Sequence, residues 1–257
     1  MTTPKVDAPA AFDVAQRDAY YWQEIEALAK RRGYGLKDLF EHFPAYAMRR
    51  YLARFLSHYE MFRQIIDLPG CIVELGVFRG RTLFTWANLL ETFCPADRRR
   101  MVYGFDHFRG LENFTAKDGA YNADNGKVEG GFKAEEAELA LLTQLHDLDN
   151  LIPGMPRTEI VAGDLMETIP IFLERNPGLR ISLLHFDVDL YEPTLFGLRH
   201  LYPLVVQGGI VCFDEYGVVP WKGETDAADE YFATLPQRPI LRKHPFTGFP
   251  SGYFVKS

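Results

Sequence analysis

Between residues 71 and 213, short apolar runs alternate with amphipathic stretches of helical length, and no other feature narrows the folds open to this chain so far. The apolar runs are of strand length and lie at 71–75, 101–105, 159–162, 181–186 and 210–213. Helical spacing fills the intervals at 81–92, 133–148, 165–175 and 193–201. Strands and helices in strict turn predict a parallel sheet with right-handed crossovers and helices on its faces. A further helix is expected at 224–235, then two strand candidates at 240–243 and 252–256, with Pro245 to Pro250 turning between them. Such a hairpin would close the sheet with an antiparallel edge.

Ahead of the first strand, residues 1–12 carry Pro4 and Pro9 and read as a loose tail. Helical spacing at 14–32 ends on Gly33, a C-cap residue. A short segment at 36–43 follows, then a long helical pattern at 45–67, rich in Tyr, Phe and Arg and closed by Pro69-Gly70. Two parts are expected: 1–68, a tail with a helical extension that caps the sheet or makes an oligomer contact, and 69–257, the α/β domain.

The formal charge of −7 disfavours nucleic acid, since phosphate binding needs clustered cations. The basic run Arg98-Arg99-Arg100 reads as a solvated turn. Three cysteines, Cys71, Cys94 and Cys212, show no metal-binding spacing and suit a reducing compartment. Residues 1–9 lack the apolar stretch of a signal peptide, and no apolar run is long enough to span a bilayer. The expectation is a cytoplasmic protein with a small-molecule substrate.

The chemistry-bearing residues collect at strand ends. The run 181–186 is followed by Asp187 and Asp189, which share a face if the extended geometry continues. The run 210–213 ends in Asp214-Glu215. Acidic residues at two strand ends place a carboxylate cluster at the sheet edge where open α/β sheets bind ligands. Such a hard, oxygen-rich set suits Mg²⁺ or Mn²⁺. The first strand runs into Glu74-Leu75-Gly76-Val77-Phe78-Arg79-Gly80 and then a helix, a turn that brings backbone close to a ligand and offers N–H groups to an anion. Its spacing departs from the dinucleotide fingerprint. Asp106 stands where a carboxylate can bind ribose hydroxyls, and Gly163-Asp164 ends the third strand. Blander readings exist: Gly76 and Gly80 make a tight turn, Asp164 with Glu167 caps a helix, and His185 is a satisfied core histidine. The segment 106–131 has no periodicity but carries Phe108, Phe114 and Tyr121, which predicts a lid.

Taken together, E-L-G-V-F-R-G, F-D-H-F-R-G-L, F-D-V-D-L-Y-E-P-T, G-G-I-V-C-F-D-E-Y and S-G-Y-F-V-K resemble the macrocin O-methyltransferase family from about Pro69 onward. The resemblance implies a Rossmann-like class I methyltransferase: a seven-stranded, mostly parallel sheet with an antiparallel last strand. It also implies S-adenosylmethionine and Mg²⁺ (or Mn²⁺) as cofactors, and as acceptor a sugar hydroxyl, on a nucleotide-activated deoxysugar such as TDP-rhamnose or on a glycoside. Carried over by position, Glu74, Gly76, Phe78, Arg79, Gly80, Arg81 and Thr82 would hold the methionine half of the donor. Asp106 would hold its ribose, and Gly163 and Asp164 would line the adenine pocket. Asp189 would bind metal and accept the proton, with Asp187 the alternative base, and Asp214 and Glu215 would complete the metal set. Glu215 stands where many members have aspartate, and His107 where a small polar residue is common. A homo-oligomer is expected through the N-terminal helices. The rival expectation is a Mn²⁺-dependent glycosyltransferase of the D-x-D type, which leaves Glu74 to Gly80, Asp106 and Asp214-Glu215 without roles.

Overall fold

The computed structural model describes residues 14–257, so the expected tail at 1–12 lies outside the described residues. Five parallel strands form the sheet as expected: β1 (Cys71–Leu75), β2 (Val102–Asp106), β3 (Thr158–Ala162), β4 (Ile181–Phe186) and β5 (Val205–Phe213). A sixth, β6 (Gly252–Val255), runs antiparallel to β5. The order is β3-β2-β1-β4-β5-β6. The chain winds outward from β1 in one direction and from β4 in the other, so the two central strands flank the crevice where such sheets bind ligands. Every residue of β4 is buried, as a strand covered on both faces must be.

Side-chain alternation divides the core. On one face Ile72, Val102, Leu183 and Ile210 pack with Leu83, Trp86 and Leu90 of α5 (Arg81–Phe93) and Leu139 of α6 (Glu136–Asp147). On the other, Val73, Leu75, Leu184, Phe186 and Phe213 meet three helices: α7 (Leu165–Arg175), α8 (Tyr191–Leu201) and α9 (Lys222–Ala233). Each large side chain buried there is worth roughly 1.5–3 kcal/mol.

Two expectations are corrected. The sheet has six strands among the described residues, not seven: residues 240–243 contribute a single bridge, Arg242 to Tyr253. Pro239 and Pro245 bracket that segment, and proline donates no ladder hydrogen bond. Nor is the basic run a solvated turn. Arg100 is buried and donates to the carbonyls of Ile65, Ile66 and Gly70, while Arg98 pairs with Glu91.

The chain divides into two compact units, residues 1–52 and 53–257. In the first lie α1 (Val14–Arg32), α2 (Leu36–Glu41) and α3 (Phe43–Tyr46), with no buried residue in any of them. Tyr21 Oη donates to Tyr46 O at 2.7 Å, and Arg50 pairs with Asp18 at 2.6 Å. The unit boundary falls inside α4 (Arg49–Phe62) rather than at 68, because Met61, Phe62 and Ile65 are wholly buried in the core of the sheet. No helix among the described residues is long and apolar enough to cross a membrane.

Candidate active site

A cavity of about 690 Å³ opens at the C-terminal ends of β1, β2, β3, β4 and β5. Of the residues expected around a methyl donor, Gly76, Phe78, Arg81, Asp106, Gly163 and Asp164 line it. Gly76 is there for backbone approach: at φ +86 it runs so close to the end of β4 that a Cβ would fall 1.8 Å from Asp187 O. Phe78 holds a left-handed φ of 49°. Asp106 shapes this turn: its Oδ2 accepts the N–H groups of Val77 and Phe78, each at 2.8 Å, and its Oδ1 accepts that of Phe108 at 2.7 Å. Asp164 caps α7, accepting the Met166 N–H at 2.8 Å, so the capping and cavity-lining readings both hold.

The remaining expected residues are not among those lining the cavity. Glu74 points from β1 into the core and is 1% exposed. Arg79 lies in solvent and pairs with Glu138. Gly80 turns the chain into α5 with a left-handed φ of 79°, and Thr82 is buried on the inner side of that helix.

All four expected carboxylates, Asp187, Asp189, Asp214 and Glu215, line the same cavity. Their grouping differs from the expected set of Asp189, Asp214 and Glu215. Asp187, Asp189 and Glu215 bring one oxygen each within 4.8 Å of the others, and Asp187 also belongs to a second cluster with His185 and Asp214. Asp214 stands apart from the first because it is turned toward Arg54, whose Nη2 lies 2.9 Å from Asp214 Oδ1 and 3.4 Å from Asp187 Oδ2. Asp189 holds a left-handed φ of 62°, a strained state for a residue with a Cβ and one that gathers at functional sites.

The electrostatics follow from taking these charges out of water together. Burial, reinforced by Asp214 and opposed by Arg54, raises Asp187 to about 7. Burial and then the neighbouring carboxylates push Asp189 and Glu215 well above the usual range. Burial works against Asp214 as well, but Arg54 and His185 outweigh it and hold that carboxyl below its ordinary value. Burial disfavours a charged His185, yet Asp214 and Glu74 raise it to about 10. Glu215 Oε2 is buried with no hydrogen-bond partner. Crowded, desolvated oxygens of this kind fit a hard divalent cation, which would relieve the repulsion and satisfy the orphaned oxygen.

Sequence reasoning missed Arg54 and Glu224. Glu224, fully buried on α9, accepts the Glu215 N–H at 2.8 Å and so fixes the end of β5. The signal for Arg54 was present: it shares a face of α4 with His58 and Met61, both buried, at helical spacing.

An open sheet of this order, with its antiparallel edge and its cavity beside β1 and β4, is the fold of a Rossmann-like α/β methyltransferase. A family model described as macrocin-O-methyltransferase (TylF) matches residues 44–234. The chain belongs to that family of O-methyltransferases. It is 30% identical over 189 residues to demethyldecarbamoylnovobiocin O-methyltransferase of Streptomyces niveus, an alignment spanning 69% of this chain and 66% of that relative. The crystal structure of CalS11, a calicheamicin methyltransferase, superposes with a TM-score of 0.84 at 29% identity, covering 98% of this chain and 99% of that one. An apo structure of CalS11, described as a TDP-rhamnose 3'-O-methyltransferase of calicheamicin biosynthesis, gives 0.75 at 30% identity over 93% and 94%. The family match overturns the glycosyltransferase expectation.

Proposed function

We propose that this chain transfers a methyl group from S-adenosylmethionine to a hydroxyl of a deoxysugar, with a divalent cation, Mg²⁺ or Mn²⁺, held by its carboxylate cluster. The observation that carries the reading is one cavity bounded both by the β1 turn and by four carboxylates from two neighbouring strand ends. Asp187, Asp189 and Glu215, whose oxygens gather, would hold the cation with Asp214 beside them, and Asp189, the strained member, would also take the hydroxyl proton. The cation, when bound, supplies Lewis acidity that makes the acceptor hydroxyl easier to deprotonate. In the transfer the acceptor oxygen forms a bond to the methyl carbon, the carbon–sulfur bond breaks with its electron pair staying on sulfur, and the hydroxyl proton passes to the carboxylate. Gly76, Phe78 and Asp106 would hold the donor beside it. Fixing oxygen, carbon and sulfur in line is worth up to roughly 7–11 kcal/mol.

Eight carboxylates and two guanidinium groups line the cavity, which favours an uncharged saccharide inside it. The CalS11 likeness supports a deoxysugar acceptor, and the novobiocin relative an acceptor that is itself a natural product. The test is a screen of TDP-deoxysugars and glycosides with donor and Mg²⁺, read by mass for one methyl gain. Excess chelator should abolish the gain and added Mg²⁺ should restore it. Asp214→Asn should lose turnover while keeping donor affinity. Undiminished methylation in chelator would sink the metal role.

A further inference from the structure

Glu74 and His185 face each other across the two central strands. The register pairs Glu74 with His185 and His185 with Cys212, so these three side chains form a row on one face of the sheet. Asp214 lies two residues beyond Cys212, where the same face reaches the cavity. His185 Nδ1 is 3.7 Å from Glu74 Oε2, and its Nε2 is 3.9 Å from Asp214 Oδ1. Asp214 in turn meets Arg54 at 2.9 Å. The row therefore runs from the interior of the sheet to the carboxylate cluster.

Neither Glu74 nor His185 touches solvent in any useful degree, at 1% and 0% exposure. Behind them stand His58 and Trp86, whose rings lie 4.8 Å apart. Glu74 Oε2, both His185 ring nitrogens, His58 Nε2 and Trp86 Nε1 are buried without a hydrogen-bond partner. Polar groups gathered in a core cost stability where an apolar set would fill the same space. Holding a neighbouring ligand in place is a use that justifies such a cost, since outer partners of metal-binding carboxylates set how well the ion is held.

We propose that Glu74 is a positioning residue for the carboxylate cluster: through His185 it fixes where Asp214 presents its oxygens to the divalent cation, and it makes no contact with the methyl donor. The inference rests on the reading of Asp214 as part of the cation-binding set with Asp187, Asp189 and Glu215. It reassigns a residue whose place in the β1 motif points, in sequence, to the donor.

The test uses the full chain with Mn²⁺ as sole metal, its free concentration followed by electron paramagnetic resonance, and S-adenosylmethionine titrated separately by calorimetry. Glu74→Gln keeps the shape and removes the charge. Mn²⁺ affinity should fall about 10- to 100-fold, while donor affinity holds to within about twofold. Weakened donor binding, alone or with weakened Mn²⁺ binding, would overturn the proposal, and so would unchanged Mn²⁺ binding. A second pair of variants covers the case in which Glu74→Gln does not fold. His185→Gln sets an amide nitrogen near the place of Nε2, facing Asp214, whereas His185→Asn sets one near the place of Nδ1, facing Glu74. The glutamine variant should bind Mn²⁺ about tenfold more tightly than the asparagine variant, as an outer partner of a ligand should; equal losses mark a packing role and refute the idea. Wild-type protein that binds no Mn²⁺ would end the cation reading itself, and this inference with it. That outcome is visible before any variant is made.

Discussion

Arg54 occupies the place in the carboxylate cluster where charge balance is most acute. Its guanidinium is largely buried, and although burial opposes its charge, Asp214, Asp187 and Glu215 keep it firmly protonated. Removing one partner from a buried ionic set leaves the others uncompensated, at about 3–5 kcal/mol. Arg54→Met should therefore melt roughly 6–20 °C lower in metal-free buffer. Added Mn²⁺ should recover part of the deficit by binding only the folded state. Equal deficits with and without Mn²⁺, in thermal melts followed by circular dichroism, would refute the compensation. At this scale the sequence was informative in proportion to how local the cause is. Asp187, Asp189, Asp214 and Glu215 could be read because strand ends and side-chain alternation are local properties. Glu74 was expected at the donor from its place in the β1 motif, and a motif position does not reveal what stands opposite, here His185 on the neighbouring strand.

Residues 106–131 illustrate what a single sequence conceals at the scale of an element. The segment was expected to be a lid, and residues such as Gly110, Leu111 and Asn113 do line the cavity. It is also latched down. Asp118, 1% exposed, accepts the N–H of Tyr191, the first residue of α8, at 2.6 Å and the N–H and hydroxyl of Thr115 at 2.6 and 2.8 Å. Lys127 donates to the carbonyls of Asp118 and Pro220. Gly223 of α9 makes room, for a Cβ there would lie 2.2 Å from Asp118 Oδ1. The latch thus grips the turn that carries Asp189. Its partners are 73 and 93 residues away in sequence, so no periodicity could announce it. Each hydrogen bond to the Asp118 carboxylate is worth about 1.5–3 kcal/mol. In Asp118→Ala, hydrogen exchange should quicken both in 106–131 and in the first turn of α8. Quickening confined to the loop, with α8 unchanged, would show that the latch does not reach the site.

For the molecule as a whole, the alternation of strands and helices was enough to read the parallel sheet and its antiparallel edge. The strand at 240–243 was not, since two flanking prolines outweigh four residues of suitable composition. The boundary at 68 was also placed by local punctuation, Pro69-Gly70, whereas the unit boundary follows burial. A chain starting at 69 would lose Met61, Phe62 and Ile65, each worth about 2–5 kcal/mol in a core, and should not fold. A chain starting at 49 should fold and, if the N-terminal helices make the oligomer, should show monomer mass by light scattering. A folded chain from 69, or an oligomer from 49, would contradict these expectations. Gly76 carries a different lesson about what a signature records. Its missing side chain leaves room for the backbone of the neighbouring strand, so the constraint is architectural before it is chemical. A descendant of this chain that had abandoned methyl transfer but kept the sheet would still be obliged to keep that glycine. Its persistence in a lineage would testify to the meeting of two strands and would say nothing about whether a donor still binds.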